Sequence, residues 1–291
     1  MSVNVGVVVL PQQRWSEAAA RWRAVEDMGF AHAWTYDHLA WQTLAAEPWF
    51  ATVPTVTAAA LVTDRIRLGT WVASPNYRHP VPFAKELMSL DDVSGGRFLL
   101  GVGAGGSGWD AEVLGIQPPT PGRRVQRLDE FLELLDLLLT QPETTHQGEW
   151  FSAVAARMVP GCVQTPRLPF VVAANGPKAL RVAAARGDAW ATTGTTDPAD
   201  GQDAWWRGVR EVSARFDAAL AEAGRDATTV GRYLNLDSGA VFSLTSREAF
   251  ADAAGRAAEL GFTDVVTHWP RADGVYAGDV RVLEQVAADL P

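Results

Sequence analysis

The chain is 291 residues long, 47% hydrophobic and 20% charged, the balance of a globular enzyme rather than of a disordered or fibrous chain. Its formal net charge of -9 argues against nucleic acid as a partner, because neutralising phosphates needs a basic surface, but leaves room for a small anion held by local groups. A single cysteine, Cys162, excludes an intrachain disulfide and a thiolate metal centre.

The first residues, MSVNVGVVVLPQQR, read as a strand. No basic segment precedes their apolar run and no small-residue cleavage site follows it, so no secretory signal is expected. No run approaches a membrane span, and the expected location is cytoplasmic. Val3–Leu10 is the first strand, closed by Pro11, and an amphipathic helix then runs to Met28 before Gly29. Ala31–Tyr36 reads as a second strand with Asp37 and His38 directly behind it, and 49–63 reads as helix. Ile66–Ala73 is a third strand, broken at Ser74-Pro75; Val81–Ser94 is a helix stopped by Gly95-Gly96; Phe98–Val102 is a fourth strand that runs into glycines. Strand, helix and strand in about forty residues form a βαβ unit, whose strands must be parallel.

Arg123–Thr140 puts Leu128, Phe131, Leu132 and Leu135 on one helical face. Residues 141–168 lack that period, carry Gly148-Glu149-Trp150-Phe151 and several prolines, and read as a β-hairpin insertion. Further strands are expected at Phe170–Ala174, Ala189–Thr193, Ser238–Leu244 and Asp264–His268, with helices at 177–186, 203–222, 247–260 and 281–289. Eight strands alternating with eight helices predict one α/β domain over 1–291, a (β/α)8 TIM barrel; an open doubly wound sheet is the competing architecture.

In such a barrel the residues just after the strands line the active face. Here they include Asp37 and His38, 72–76, 103–106, Asn175 and Gly176, 192–194, and 268–271. Glycine, threonine and nearby tryptophans suit a flat aromatic ligand, although each tryptophan taken alone fits a core position as well. Trp41, Trp109, His268 and Trp269 are the expected substrate-facing members. In Asp37-His38 the carboxylate can hold a heteroaromatic N–H or O–H, and the imidazole can move a proton near neutral pH. The bland alternative is a helix-capping aspartate beside a loop histidine.

GVGAGG, 101–106, has the form GxGxxG, but it follows the fourth strand and lacks the acidic residue about twenty positions on that a dinucleotide fold requires. It is read instead as backbone that lets a ligand approach closely. In Ala174-Asn175-Gly176-Pro177-Lys178, proline suits a first helical position, and the helix N-terminus offers N–H groups to an anion such as phosphate. Thr192 and Thr193 could add hydroxyl donors, and no spacing of His, Asp and Glu suggests a metal.

Taken together, MGFAHAWTYDHL, LGTWVASPNYRHP, LDDVSGGRFLLGVGAG and AANGPKALRVAAARGDAWATTG resemble, in that order, segments of the bacterial luciferase-like superfamily, and within it the oxidoreductases that use the deazaflavin coenzyme F-420. The resemblance implies that Asp37 hydrogen-bonds the deazaflavin ring and that His38 is an acid/base group facing the substrate. It places the family's non-prolyl cis peptide at Trp71-Val72, a cofactor contact at Asn76, and Ala104 and Gly105 against the ring. Asn175, Gly176, Pro177 and Thr193 would surround the phosphate. It further implies a homodimer and hydride transfer to or from a small-molecule substrate, an activated double bond, a carbonyl or an alcohol. Sugar-phosphate dehydrogenases of this family carry a glutamate where this chain has Gly106 and a tryptophan where it has Gln42, which disfavours a sugar phosphate. An FMN-dependent monooxygenase of the same superfamily is the alternative. A non-catalytic flavin-binding barrel and an unrelated phosphosugar isomerase are the more distant readings.

Overall fold

In a computed structural model, which describes residues 3–106 and 109–290, short apolar runs alternate with amphipathic ones as strands and helices. The elements are β1 (Asn4–Val8), α1 (Trp15–Asp27), β2 (His32–Thr35), α2 (Thr52–Ala60), β3 (Arg67–Thr70), α3 (Pro80–Val93) and β4 (Phe98–Gly103). A short helix α4 (Trp109–Val113), the long α5 (Pro121–Thr140) and the strands β5 (Glu143–Gln147) and β6 (Ser152–Arg157) follow. The remainder is β7 (Phe170–Ala173), α6 (Pro177–Arg186), β8 (Ala189–Thr192), α7 (Gln202–Glu222), β9 (Gly231–Asn235), α8 (Arg247–Glu259), β10 (Asp264–His268) and α9 (Val280–Ala287).

Eight of these strands close into a barrel in the order β1-β10-β9-β8-β7-β4-β3-β2, every neighbouring pair parallel. The fold is therefore the (β/α)8 barrel. Strand alternation divides its core in two. Val5 and Val265 pack outward among the helix side chains, with Phe83, Phe131 and Phe216, whereas Val8, Val171 and Val266 point into the barrel with Trp34 and Tyr233.

Inside the barrel, large side chains lie over glycines of neighbouring strands. A Cβ on Gly6 would stand 1.7 Å from His32 Nδ1, and one on Gly69 would stand 2.3 Å from the Trp34 ring. Close packing of this kind leaves no space for even one added methyl group. The plug is also hydrogen-bonded: Trp34 Nε1 donates to His32 Nδ1 at 2.6 Å, and His32 Nε2 lies 3.1 Å from Asp264 Oδ1.

The insertion is the expected hairpin, β5 antiparallel to β6, outside the barrel. Glu130 on α5 ties it down by accepting the backbone N–H groups of Glu149, Trp150 and Phe151, the last at 2.7 Å. The predicted strand at 238–244 is not formed; the barrel strand is β9, with 3-10 turns at Leu236–Ser238 and Ser243–Thr245 after it. The apolar run Ala240-Val241-Phe242 draws attention from Arg232-Tyr233-Leu234-Asn235, in which all four residues are buried. Arg232 tolerates burial because Asp217 and the Phe216 ring receive its guanidinium. No helix among the described residues is long and apolar enough to cross a membrane.

Candidate active site

At the C-terminal end of the strands a cavity of about 480 Å³ opens between the loops. That is within the roughly 300–1,000 Å³ range of small-molecule and cofactor sites. One wall is the end of β3 and β4. The Trp71–Val72 peptide is cis, and Ala73 then pairs with β4 by accepting from Gly103 N and donating to Gly101 O, both at 2.8 Å. Gly103, Ala104, Gly105 and Gly106 continue the wall beside Val72. Gly105 has φ +74, and a Cβ there would come within 2.1 Å of Asn76 Nδ2, so only glycine fits against Asn76.

Asn76 lines the cavity and is buried between Gly105 O, which its Nδ2 reaches at 3.4 Å, and the guanidinium of Arg127. Arg127 is itself buried, and its Nε has no hydrogen-bond partner among the described residues. Burial, then the neighbouring charge of Arg124, hold its pKa below the ordinary arginine value. A cation placed this way, with a donor to spare, favours an anion nearby.

Beyond the ends of β7 and β8, next to β4 in the barrel, Thr192 Oγ1 donates to Asn175 Oδ1 at 2.6 Å, and Asn175 Nδ2 donates to Thr193 Oγ1 at 2.7 Å. These bonds fix which way the Asn175 amide faces. Asn175, Thr192 and Thr193 line the cavity. Gly176 is the N-cap of α6 and Pro177 its first residue, as the proline position predicts, but neither is part of the lining.

His38 occupies the opposite wall. Its Nδ1 lies 2.8 Å from Asp110 Oδ2, while Asp110 Oδ1 accepts the backbone N–H of Leu39 at 2.8 Å. Trp49 Nε1 donates to the carbonyl of His38 at 2.9 Å, and the Trp41 ring lies 4.8 Å from the imidazole. A carboxylate on Nδ1 orients the ring and leaves Nε2 as the nitrogen available to a ligand. The His38 side chain is 15% exposed and that of Asp110 only 3%, so the pair is semi-enclosed with its histidine toward the opening.

Asp37 takes a different position from its neighbour. It is buried, accepts from Tyr77 Oη and from Arg78 Nε (3.1 Å) and Nη2 (2.6 Å), and does not line the cavity. Burial, then Asp37, drive the Tyr77 hydroxyl well above its usual pKa. Burial alone would lower Arg78, but the Asp37 hydrogen bond and charge outweigh it and raise it. Both oxygens of Asp37 are thus taken by this buried cluster, which anchors the chain just before His38.

The expected substrate-facing group also divides. Trp41 lines the cavity, with Trp71, Val72, Asn76, Ala104 and Gly105. Trp109 begins α4 and is not part of the lining. Trp269 packs against the outer core with Arg21 over its ring, because it lies one residue past β10 and turns to the helix side. His268 is fully buried behind Tyr36 and Tyr276, the latter stacked on it at 3.6 Å. In its place the cavity receives Tyr36, Asp110, Asp237 and Tyr276, none of which was expected from sequence. Asp237 was hidden by the misplaced seventh strand. Asp110 had one available signal, an acidic residue shortly after the glycine run.

The luciferase-like monooxygenase family model matches residues 3–274. Among curated proteins, the chain is 33% identical over 217 residues to 4-hydroxyprotoasukamycin monooxygenase of Streptomyces nodosus subsp. asukaensis, covering 73% of this chain and 54% of that protein. It is 32% identical over 269 residues to the F420-dependent hydroxymycolic acid dehydrogenase of Mycobacterium tuberculosis, covering 89% of this chain and 67% of that one. The chain thus spans about half the length of the first relative and two thirds of the second. Among solved structures, an F420-dependent secondary alcohol dehydrogenase in complex with an F420-acetone adduct superposes with a TM-score of 0.79 at 18% identity, covering 98% of each chain, a likeness of fold. The chain belongs to the luciferase-like monooxygenase family.

Proposed function

We propose that this luciferase-like protein is a coenzyme F-420-dependent oxidoreductase that moves hydride between the deazaflavin ring and a small organic substrate, an alcohol, a carbonyl or an activated double bond. The observation that carries the reading is the cavity itself: a glycine wall beside the cis Trp71–Val72 peptide and the His38–Asp110 pair line one space of about 480 Å³. The residues present fit such a cofactor. Trp71, Val72, Ala104 and Gly105 would lie along the ring, where side chains on the glycines would obstruct it. Asn76, Asn175 and Thr193, with the start of α6 at Gly176 and Pro177, would hold the polar tail, and the Arg127 guanidinium, whose Nε has no hydrogen-bond partner among the described residues, would balance its phosphate charge. Bound deazaflavin supplies a carbon that accepts or delivers hydride but activates oxygen poorly.

The chain's own part is to align the reacting carbons, exclude water and handle one proton. His38 Nε2 is the acid/base atom, and Asp110 on Nδ1 keeps the ring in the tautomer that presents it. Asp37, engaged by Arg78 and Tyr77, positions the loop instead of meeting the ring. A relative of similar identity that acts as a dehydrogenase with this coenzyme supports the cofactor assignment. The alternative, an FMN-dependent monooxygenase, is favoured by the monooxygenase relative. Titration of the purified protein with F-420 and with FMN separates the two: deazaflavin fluorescence should be quenched at micromolar concentration with weak FMN binding. Tight FMN binding without F-420 binding would sink the proposal. Sedimentation velocity tests the accompanying expectation of a homodimer.

A further inference from the structure

The wall formed by Tyr36, Asp237 and Tyr276 has no part in the reading above, although all three residues line the cavity. Its hydrogen bonds have a determinable direction. Asp237 Oδ2 accepts the backbone N–H of His268 at 2.7 Å, and Oδ1 accepts that of Ser243 at 3.0 Å. Backbone N–H groups can only donate, so both oxygens act as acceptors, and the 2.8 Å contact with His268 Nδ1 requires the proton on that nitrogen. In a neutral ring protonated on Nδ1, His268 Nε2 is a bare lone pair, and the Tyr36 hydroxyl 2.9 Å away donates to it. With its one proton so directed, the Tyr36 oxygen can only accept from the Tyr276 hydroxyl, also at 2.9 Å. Tyr276 therefore turns its proton inward and presents only lone pairs to the cavity.

Two further observations mark Tyr276 as held in place for this contact. Its backbone sits at φ +62, a left-handed conformation that a bulky residue adopts only when its surroundings enforce it. The surroundings are the His268 ring, parallel within 9°, and the Arg271 loop, where Arg271 N donates to Tyr276 O at 2.9 Å and Arg271 Nη2 reaches Glu47 at 2.6 Å. Burial raises the Tyr276 pKa to about 12 and holds that of Tyr36 well above its usual value, so both phenols keep their protons at neutral pH.

We propose that Tyr276 is an acceptor-only contact that selects ligands carrying a hydroxyl or N–H donor, and that Tyr36, His268 and Asp237 are positioning residues that fix this polarity. The proposal rests on the cavity being the ligand site described above. The same chemistry can come from two sources, the ring edge of the cofactor or a substrate donor other than its reacting group, and the test separates them.

The direction of the chain is read without any ligand. In protein labelled with 15N-histidine, with His268 assigned by its loss in His268→Gln, the spectrum should show a neutral ring protonated on Nδ1. A ring protonated on Nε2 would reverse the chain and overturn the proposal. Selectivity is read by binding F-420 through its fluorescence, and cyclohexane-1,2-diol against 1,2-dimethoxycyclohexane by ligand-observed NMR. Tyr276→Phe keeps the stacked ring and removes only the oxygen. It should lower by about tenfold, the worth of one hydrogen bond, either F-420 affinity, which assigns the donor to the cofactor, or the diol preference, which assigns it to the substrate. Tyr36→Phe frees the Tyr276 proton to face the cavity and should reduce the same affinity or shift preference toward the diether. Should neither variant move either quantity while the Nδ1 tautomer is found, the contact is structural and the proposal fails. A failure of F-420 binding alone would count against the cofactor assignment and leave the tautomer and the diol arm decisive.

Discussion

Two of the barrel's histidine–aspartate pairs stand at its opposite ends, and they have opposite circumstances. At the bottom, His32 begins β2 and Asp264 begins β10. Both ring nitrogens of His32 are occupied, Nδ1 by Trp34 and Nε2 by Asp264, and Asp264 also accepts from Asn4 at 3.2 Å and Thr263 at 2.6 Å. At the top, His38 has one nitrogen engaged by Asp110 and lines a cavity. Pairing alone therefore says little about function. What distinguishes the pairs is their end of the barrel and whether a nitrogen is left for a ligand.

The largest effect should come from the histidines themselves. His38→Ala is expected to lower kcat for hydride transfer by about 10²–10⁴, roughly 3–5 kcal/mol, with an unchanged melting temperature. His32→Ala should instead lower stability by roughly 2–4 kcal/mol through a cavity and unpaired buried groups. Denaturant unfolding run beside steady-state kinetics would erase the contrast if the two variants failed in the same way.

Glycines repeat it on a smaller scale. Gly6→Ala would force a Cβ to within 1.7 Å of His32 and should cost about 3 kcal/mol of stability. Gly106→Ala meets no atom within 4 Å and should leave stability within about 0.5 kcal/mol, while its methyl group, on a cavity-lining residue, weakens F-420 binding. Equal destabilisation by both would show that the glycine wall is packed and not an open slot.

Among the carboxylates, Asp110→Asn should reduce kcat by about tenfold to a hundredfold at nearly constant stability, because it misorients the imidazole. Asp264→Asn should cost about 1–3 kcal/mol of stability.

The smallest effect is on pH. Burial pushes the Asp264 carboxyl up, but the His32 hydrogen bond and charge, then Thr263 and Asn4, outweigh it and hold the pKa below the ordinary carboxylate value. A depressed folded-state pKa contributes stability above the unfolded value of about 4, and this stability is lost as pH falls through the folded value. Urea melts in that acidic window should therefore be less pH-dependent for Asp264→Asn than for the parent. An identical slope would remove Asp264 from the acid response.

The sequence by itself determined the barrel. Apolar runs of strand length, amphipathic runs of helix length and glycine stops are local, and they located seven of the eight barrel strands, the hairpin and the position of His38 directly after β2. Motif order located the cis peptide at Trp71–Val72. Only the tertiary structure decided the partners. Asp110 meets His38 across 72 positions, and His268 meets Tyr36 across 232. Asp37 was drawn from the cavity by Arg78, 41 residues on. No local period encodes such pairings. They follow from how barrel closure brings loop ends together, and from the need of each buried charge for a counter-charge or hydrogen-bond donor, whichever loop supplies it.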